Sequence, residues 1–213
     1  MYFVNHELYF PPAENAGKTG LLAMGGDLSP DRLMLAYRNG IFPWFSEDEP
    51  ILWWSPPRRM VVFPSEFKPS KSMRNIINRG IFTVSFNTAF EQVIDLCRGV
   101  FRPDQNGTWI TPQMRDAYVD LHFRGFARSV EVWHEGILVG GLYGVDLGHI
   151  FCGESMFSLM SNASKMAFIA LVKWLESQNY ALLDCQLHNH HLASLGAREI
   201  PRELFLQYLR TGR

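Results

Sequence analysis

The chain has 213 residues, 47% of them apolar and 19% charged, and a formal net charge of only −1. This is an ordinary globular composition, long enough to bury a core as one large domain or two small ones. It excludes a chain that binds nucleic acid through global charge alone, and the lack of any run of about eighteen apolar residues predicts no membrane span.

The opening "MYFVNHELYFPPAENA" lacks a basic stretch followed by an apolar core, so no secretory signal is expected. Residues 1–80 are rich in Pro, Gly and aromatics. Within them "GGDLSPDRLMLAYRNGIFPWF" predicts a short helix, with Ser29 as N-cap, Pro30 in the first turn, Gly40 at the end, and Leu33, Leu35 and Ala36 facing inward. "ILWWSPPRRMVVFPS" reads as turn, short strand, turn, and "KSMRNIINRG" as another short helix. From Phe82 the pattern changes. "FTVSF" alternates like a strand, and "NTAFEQVIDLCRGV" reads as a helix capped by Asn87 or Thr88. "TPQMRDAYVDLHFRG" is a helix with Thr111 as N-cap. "ARSVEVWHEGILVGGLYGVDLGHIFCGESMFS" is a three-strand meander turning near Glu135–Gly136 and Asp146–Gly148. The strongest helix is "SNASKMAFIALVKWLESQNY", with Phe168, Leu171, Val172 and Leu175 on one face. "ALLDCQL" is a strand, and "PRELFLQYLRTG" a helix opening at Pro201. Cys97, Cys152 and Cys185 are widely spaced without a C-x-x-C, which predicts no disulfide framework and fits a reducing cytoplasm.

These elements make an α+β protein. A small N-terminal α/β domain (1–80) precedes a larger three-layer domain (81–213), whose order of elements resembles that of GNAT acyltransferases. A fold-level likeness fixes no function.

The stretch "LLDCQLHNHH" gathers an acid, a thiol and three histidines. His188, His190 and His191 match no zinc spacing, so no metal site is expected. Cys185 in a strand reads better as a small hydrophobe than as a nucleophile. Asp184 and Gln186, at i and i+2, are expected on one strand face, where the acid either caps a neighbouring loop or holds a glutamine amide toward a substrate. Glu154 in "HIFCGESMFS", flanked by Phe151 and Met156, is either a turn carboxylate or the single acid of an apolar pocket suited to an amino acid. "GGLYGV" lacks the phosphate-cradling spacings, which counts against nucleotides and coenzyme A. The segment 56–80 concentrates Arg58, Arg59, Lys68, Lys71, Arg74 and Arg79 against Glu66 alone. With Trp44, Trp53, Trp54 and Trp109 it forms either a solvated face over core tryptophans or a patch that holds phosphates and stacks bases.

In this order, "GGDLSPDRLMLAYRNGIFPWF", "ILWWSPPRR", "GTWIT", "RSVEVW", "GGLYGV", "FCGESMFS", "NASK", "LLDCQ" and "HLASLGAREIPRELF" resemble the bacterial leucyl/phenylalanyl-tRNA–protein transferases over nearly the whole chain. The resemblance implies transfer of Leu or Phe, sometimes Met, from aminoacyl-tRNA to the α-amine of proteins beginning with Arg or Lys. The product carries an N-end rule degradation signal. It implies no metal and no nucleotide cofactor, and a GNAT-like domain that does not bind coenzyme A; no other cofactor is expected, and nothing in the sequence suggests more than a monomer. Asp184 and Gln186 would be catalytic, the carboxylate holding the amide. Glu154 would lie near the aminoacyl group, in a pocket of Leu142, Phe151, Met156, Phe168, Leu171 and Leu183. Trp44 and Trp109 would contact the tRNA 3′ end, and Arg58, Arg59, Lys68, Lys71 and Arg74 its acceptor stem. The competing readings are a coenzyme A-dependent acetyltransferase and a non-catalytic RNA-binding module.

Overall fold

The computed structural model describes residues 1–100 and 109–212; Gly107 and Thr108 of the "GTWIT" motif lie outside them. In chain order the elements are β1 (Tyr2–Val4), β2 (Leu21–Gly25), α1 (Pro30–Arg38), β3 (Phe42–Pro43), β4 (Leu52–Trp54), β5 (Arg58–Val62), α2 (Lys71–Asn78), β6 (Thr83–Phe86) and α3 (Phe90–Arg98). Then come α4 (Pro112–Phe123), β7 (Ala127–His134), β8 (Ile137–Asp146), β9 (Ile150–Ser158), α5 (Ala163–Ser177), β10 (Leu182–Gln186), α6 (His190–Ser194), β11 (Arg198–Pro201) and α7 (Arg202–Thr211). No described helix is long and apolar enough to cross a membrane.

The local signals account for several of these boundaries. Thr111 caps α4, its hydroxyl accepting from the Met114 N–H at 3.2 Å. α1 begins at Pro30, although the Ser29 side chain makes no capping bond, and Gly40 follows it at φ 74°, a conformation that spares glycine the steric cost. α3 departs from expectation, since neither Asn87 nor Thr88 is its side-chain cap. The buried Glu131 of β7 accepts instead from the backbone N–H groups of Thr88 and Ala89, both at 3.4 Å, and from the Thr88 hydroxyl at 2.9 Å. The carboxylate at the helix start favours the dipole, and it comes from a strand more than forty positions away, so no local pattern could reveal it.

A four-stranded sheet has the order β1-β2-β4-β3, and a seven-stranded sheet the order β11-β5-β10-β9-β8-β7-β6. The meander β6 to β9 is antiparallel, β10 returns parallel to β9, and β5 and β11 extend the sheet antiparallel. β5 therefore belongs to the large sheet, so the break between sheets falls before Arg58, whereas the expected division lay at residue 80. The reason is a non-local ladder: β5 fills the free edge of β10, and a strand partner more than 120 positions away leaves no mark on local composition. β11 and α6 were likewise absent from the sequence expectations.

Alternation along the strands sends side chains to two cores. On one face Leu142, Phe151, Leu183, Met60 and Val62 pack under α5 through Phe168, Leu171, Val172 and Leu175. On the other, Tyr143, Cys152, Leu182 and Val61 meet α1, α3, α4, α7 and the small sheet. This gives the three layers, with the N-terminal segment closing one side of the second core.

Two bulges prepare the site. Between β8 and β9 the register passes from Tyr143↔Ser155 to Gly144↔Gly153, leaving Glu154 as the extra residue. Between β10 and β5 it passes from Asp184↔Val61 to Gln186↔Met60, leaving Cys185 as the extra residue. Pairing of β9 with β10 ends at Asp184↔Cys152, just where both bulges begin. Bulges re-aim side chains and end ladders, so the strands part and a cavity opens between them.

Gly144 faces this region with no room for a side chain. A Cβ there would lie 2.2 Å from the Cys152 carbonyl oxygen and 2.5 Å from a ring carbon of Phe151. Gly144→Ala is expected to destabilise by about 1–3 kcal/mol through overpacking, while Gly17→Ala, with nothing within 4 Å, stays within about 0.5 kcal/mol of wild type. Urea unfolding of the two variants checks this; equal effects would remove the packing explanation.

Candidate active site

The cavity measures about 420 Å³. Its apolar wall is built by Leu142 of β8, Met156 of β9, Phe168 and Leu171 of α5, and Leu183 of β10. Phe42, Pro43, Trp44 and Trp109 form another side, and Glu154, Gln186, His188, Asn189 and His191 bring polar atoms to it. Of the expected pocket residues only Phe151 does not line it. Phe151 is fully buried in the α5 core, because it precedes the bulge and still follows the regular alternation of β9.

The Gln186 amide is held by Glu154, its Nε2 donating to Oε1 at 2.8 Å. With Nε2 so used, Oε1 is the amide atom left to accept from a substrate N–H. The Asp184 carboxylate does something different from what the strand pattern suggested. It does not line the cavity and is 0% exposed. Oδ1 accepts from the backbone N–H of Gln186 at 2.9 Å, and both oxygens accept from Arg59, Nε and Nη2 each at 2.8 Å. The cause is the bulge at Cys185, which breaks the i, i+2 alternation. Asp184 stays on the α7 side of the sheet, and Gln186 turns toward the cavity with φ 62°. Arg59 is accordingly not available to a phosphate. Burial opposes its charge, and the Asp184 carboxylate outweighs that and raises its pKa.

Glu154 accepts from the hydroxyls of Tyr37 at 2.7 Å and Tyr118 at 3.2 Å, and those two hydroxyls also touch each other. A proton on Glu154 lets all three contacts be hydrogen bonds, with Glu154 then donating to one tyrosine and accepting from the other. The electrostatics agree. Burial pushes the Glu154 carboxyl up to about 7, against the opposing hydrogen bond from Tyr37. Burial and the Glu154 charge push both tyrosines well above their usual range. Tyr37 and Tyr118 were absent from the sequence reading; they arrive from α1 and α4, and only their helix register puts both hydroxyls at one carboxyl.

Burial pushes the Cys185 thiol well above its usual range, the opposite of what a nucleophile needs. Asn189 caps α6, its Oδ1 accepting from His191 N at 2.8 Å and Leu192 N at 3.2 Å, and His188 and His190 lie with rings 5.0 Å apart. Among the described residues no group of three His, Cys, Asp or Glu side chains could hold a metal ion. Arg58, Lys68, Lys71 and Arg74 are all exposed, the last two on α2.

Comparison with known proteins decides the family. Residues 61–210 match the model of the leucyl/phenylalanyl-tRNA protein transferase family, and residues 26–57 match that of its N-terminal domain. This chain is a leucyl/phenylalanyl-tRNA protein transferase family member. It is 58% identical to the leucyl/phenylalanyl-tRNA–protein transferase of Flavobacterium johnsoniae, covering 99% of this chain and all of that protein. It is also 58% identical to that of Flavobacterium psychrophilum, with the same coverage. The solved structure of FemX aligns with a TM-score of 0.51 at 11% identity, covering 86% of this chain and 71% of that one. At that identity the likeness concerns the fold alone. Family membership makes the chain an aminoacyltransferase. The bulges, the Glu154–Gln186 contact and the cavity between β9, β10 and α5 are therefore features of a transferase.

Proposed function

We propose that this transferase moves a leucyl or phenylalanyl group, and also methionyl, from aminoacyl-tRNA to the α-amine of proteins that begin with Arg or Lys, leaving an N-terminal degradation signal. It acts as a monomer in the cytoplasm. The observation that carries this reading is the Gln186 amide, anchored on Glu154, at the edge of an apolar cavity of about 420 Å³, within the size range of small-ligand sites. The preference for a basic first residue rests on family membership.

The donor is an activated ester, so the energy for the new amide bond arrives with it. The acceptor α-amine has a reference pKa of about 7.7–8.0, so a usable fraction is neutral near pH 7. Its nitrogen attacks the ester carbonyl carbon. The C–N bond forms as the bond from that carbon to the ribose oxygen of the tRNA breaks, and the proton lost by the amine ends on the departing oxygen. Gln186 Oε1 accepts an N–H of the amine and aims its lone pair. An amide oxygen is too weak a base to keep the proton, so its contribution is orientation. Leu142, Met156, Phe168, Leu171 and Leu183 take the Leu or Phe side chain. Trp44 and Trp109, half-buried at the cavity, stack on the terminal base. Arg58, Lys68, Lys71 and Arg74 meet acceptor-stem phosphates, so the N-terminal part supplies many of the tRNA contacts.

The test is incubation with labelled Phe-tRNA and peptides beginning with Arg, Lys or Ala. Label is expected on the first two and not on the third. Transfer to none of them overturns the reading, and equal transfer to all three overturns its acceptor preference.

A further inference from the structure

We propose that Arg59 is a positioning residue for the transfer reaction: it holds Asp184, and Asp184 holds the backbone turn that delivers the Gln186 amide to the cavity. This inference rests on the reading of the site given above.

Arg59 is 1% exposed, and its guanidinium lies over two aromatic rings, 4.7 Å from the centroid of Phe42 and 4.5 Å from that of Phe205. All its nitrogens are engaged. Nε and Nη2 form the fork on Asp184, and Nη1 donates to the Gly40 carbonyl at 3.2 Å. A buried ion pair is a poor way to stabilise a fold, since apolar residues of similar volume do as well or better. The pair does have a geometric consequence. Asp184 Oδ1, fixed by Arg59 Nε, is also the acceptor for the Gln186 N–H at 2.9 Å. Gln186 sits at φ 62°, in the left-handed region where a side chain is rarely found unless its surroundings impose it. That turn, at the bulge after Asp184, takes Gln186 out of the regular alternation of β10 while it still pairs with Met60, and it brings the amide to Glu154. The same guanidinium touches Phe42, a wall of the cavity, and the end of α1. Arg59 thus joins the wall to the strand that carries the amide.

A core filler and a positioning residue make different predictions. A filler affects stability, and its effect on rate does not depend on Gln186. A positioning residue loses its effect on rate once the amide it positions is gone. The experiment is a double-mutant cycle in full-length protein, with kcat and KM measured at saturating peptide for wild type, Arg59→Lys, Gln186→Ala and the double variant, and unfolding followed in parallel. Lysine keeps the charge but lacks the fork. Arg59→Lys is expected to lower kcat on the order of 100-fold, as a misplacement of about 1 Å does, with KM for Phe-tRNA changed by no more than about twofold. In the Gln186→Ala background the same substitution is expected to change kcat by no more than about twofold. An equal loss in both backgrounds, or a loss that follows the unfolded fraction, overturns the proposal. Should Arg59→Lys not fold, Asp184→Asn, which keeps the Oδ1 acceptor without the ion pair, is read in the same cycle with the same two outcomes. A Gln186→Ala enzyme as fast as wild type also overturns the proposal but leaves the transferase reading standing. A wild-type protein that labels no peptide overturns both.

Discussion

Asp184→Ala is expected to lower the free energy of unfolding by about 3–5 kcal/mol and to abolish transfer. Asp184 is the only carboxylate paired with the Arg59 guanidinium among the described residues, and both side chains are shut away from water. Removing it leaves a buried cation with no opposite charge, held only by the Gly40 carbonyl and the rings of Phe42 and Phe205. It also removes the acceptor that holds the Gln186 N–H. The two losses separate in the double variant Arg59→Met with Asp184→Leu. That variant holds no buried charge and is expected to recover most of the stability, while transfer stays lost because the turn at Gln186 has no anchor. Urea unfolding alongside the peptide-labelling assay checks both. A double variant as unstable as Asp184→Ala would show that the cost does not arise from the stranded charge.

The second large effect is on pH dependence. Burial raises the Glu154 carboxyl from its ordinary 4.5 to about 7 in the folded state, so the folded protein binds this proton more tightly than the unfolded chain. The resulting stability is fully present below about 4.5 and is lost as pH rises through about 7. A shift of this size corresponds to something on the order of 3 kcal/mol. Relative to Glu154→Gln, which cannot titrate, the wild type is therefore expected to lose stability between about pH 5 and about pH 8. A proton on Glu154 also fits its contacts with Tyr37 and Tyr118. Unfolding of the two proteins at both pH values checks it, and a constant difference between them would show that Glu154 titrates as an ordinary surface acid.

Much of the architecture was legible because it is written in local chemistry. Thr111 followed by Pro112 marks a helix start at any depth in a fold, and the Glu135–Gly136 turn announces itself through residue type. Helical spacing put Phe168 and Leu171 together on α5, which was enough to find most of the apolar wall. The order of these motifs along the chain pointed to the family. What local chemistry could not supply was the partner of each polar group. Arg59 read as one of a run of surface cations and proved to be the partner of Asp184, 125 positions away. Asp184 and Gln186 were expected on one face, and the bulge at Cys185 separated them.

The chain by itself determined where its helices and central strands form, which apolar side chains wall the cavity, and the family to which it belongs, because capping, turn chemistry and periodicity act over a few neighbouring residues. Tertiary structure alone decided that β5 joins β10, that Glu154 is gripped by tyrosines from α1 and α4, and that a buried Arg59–Asp184 pair sets the turn at Gln186. Those outcomes depend on strand register and on side chains meeting across the sheet, and a one-residue shift in pairing changes which groups meet.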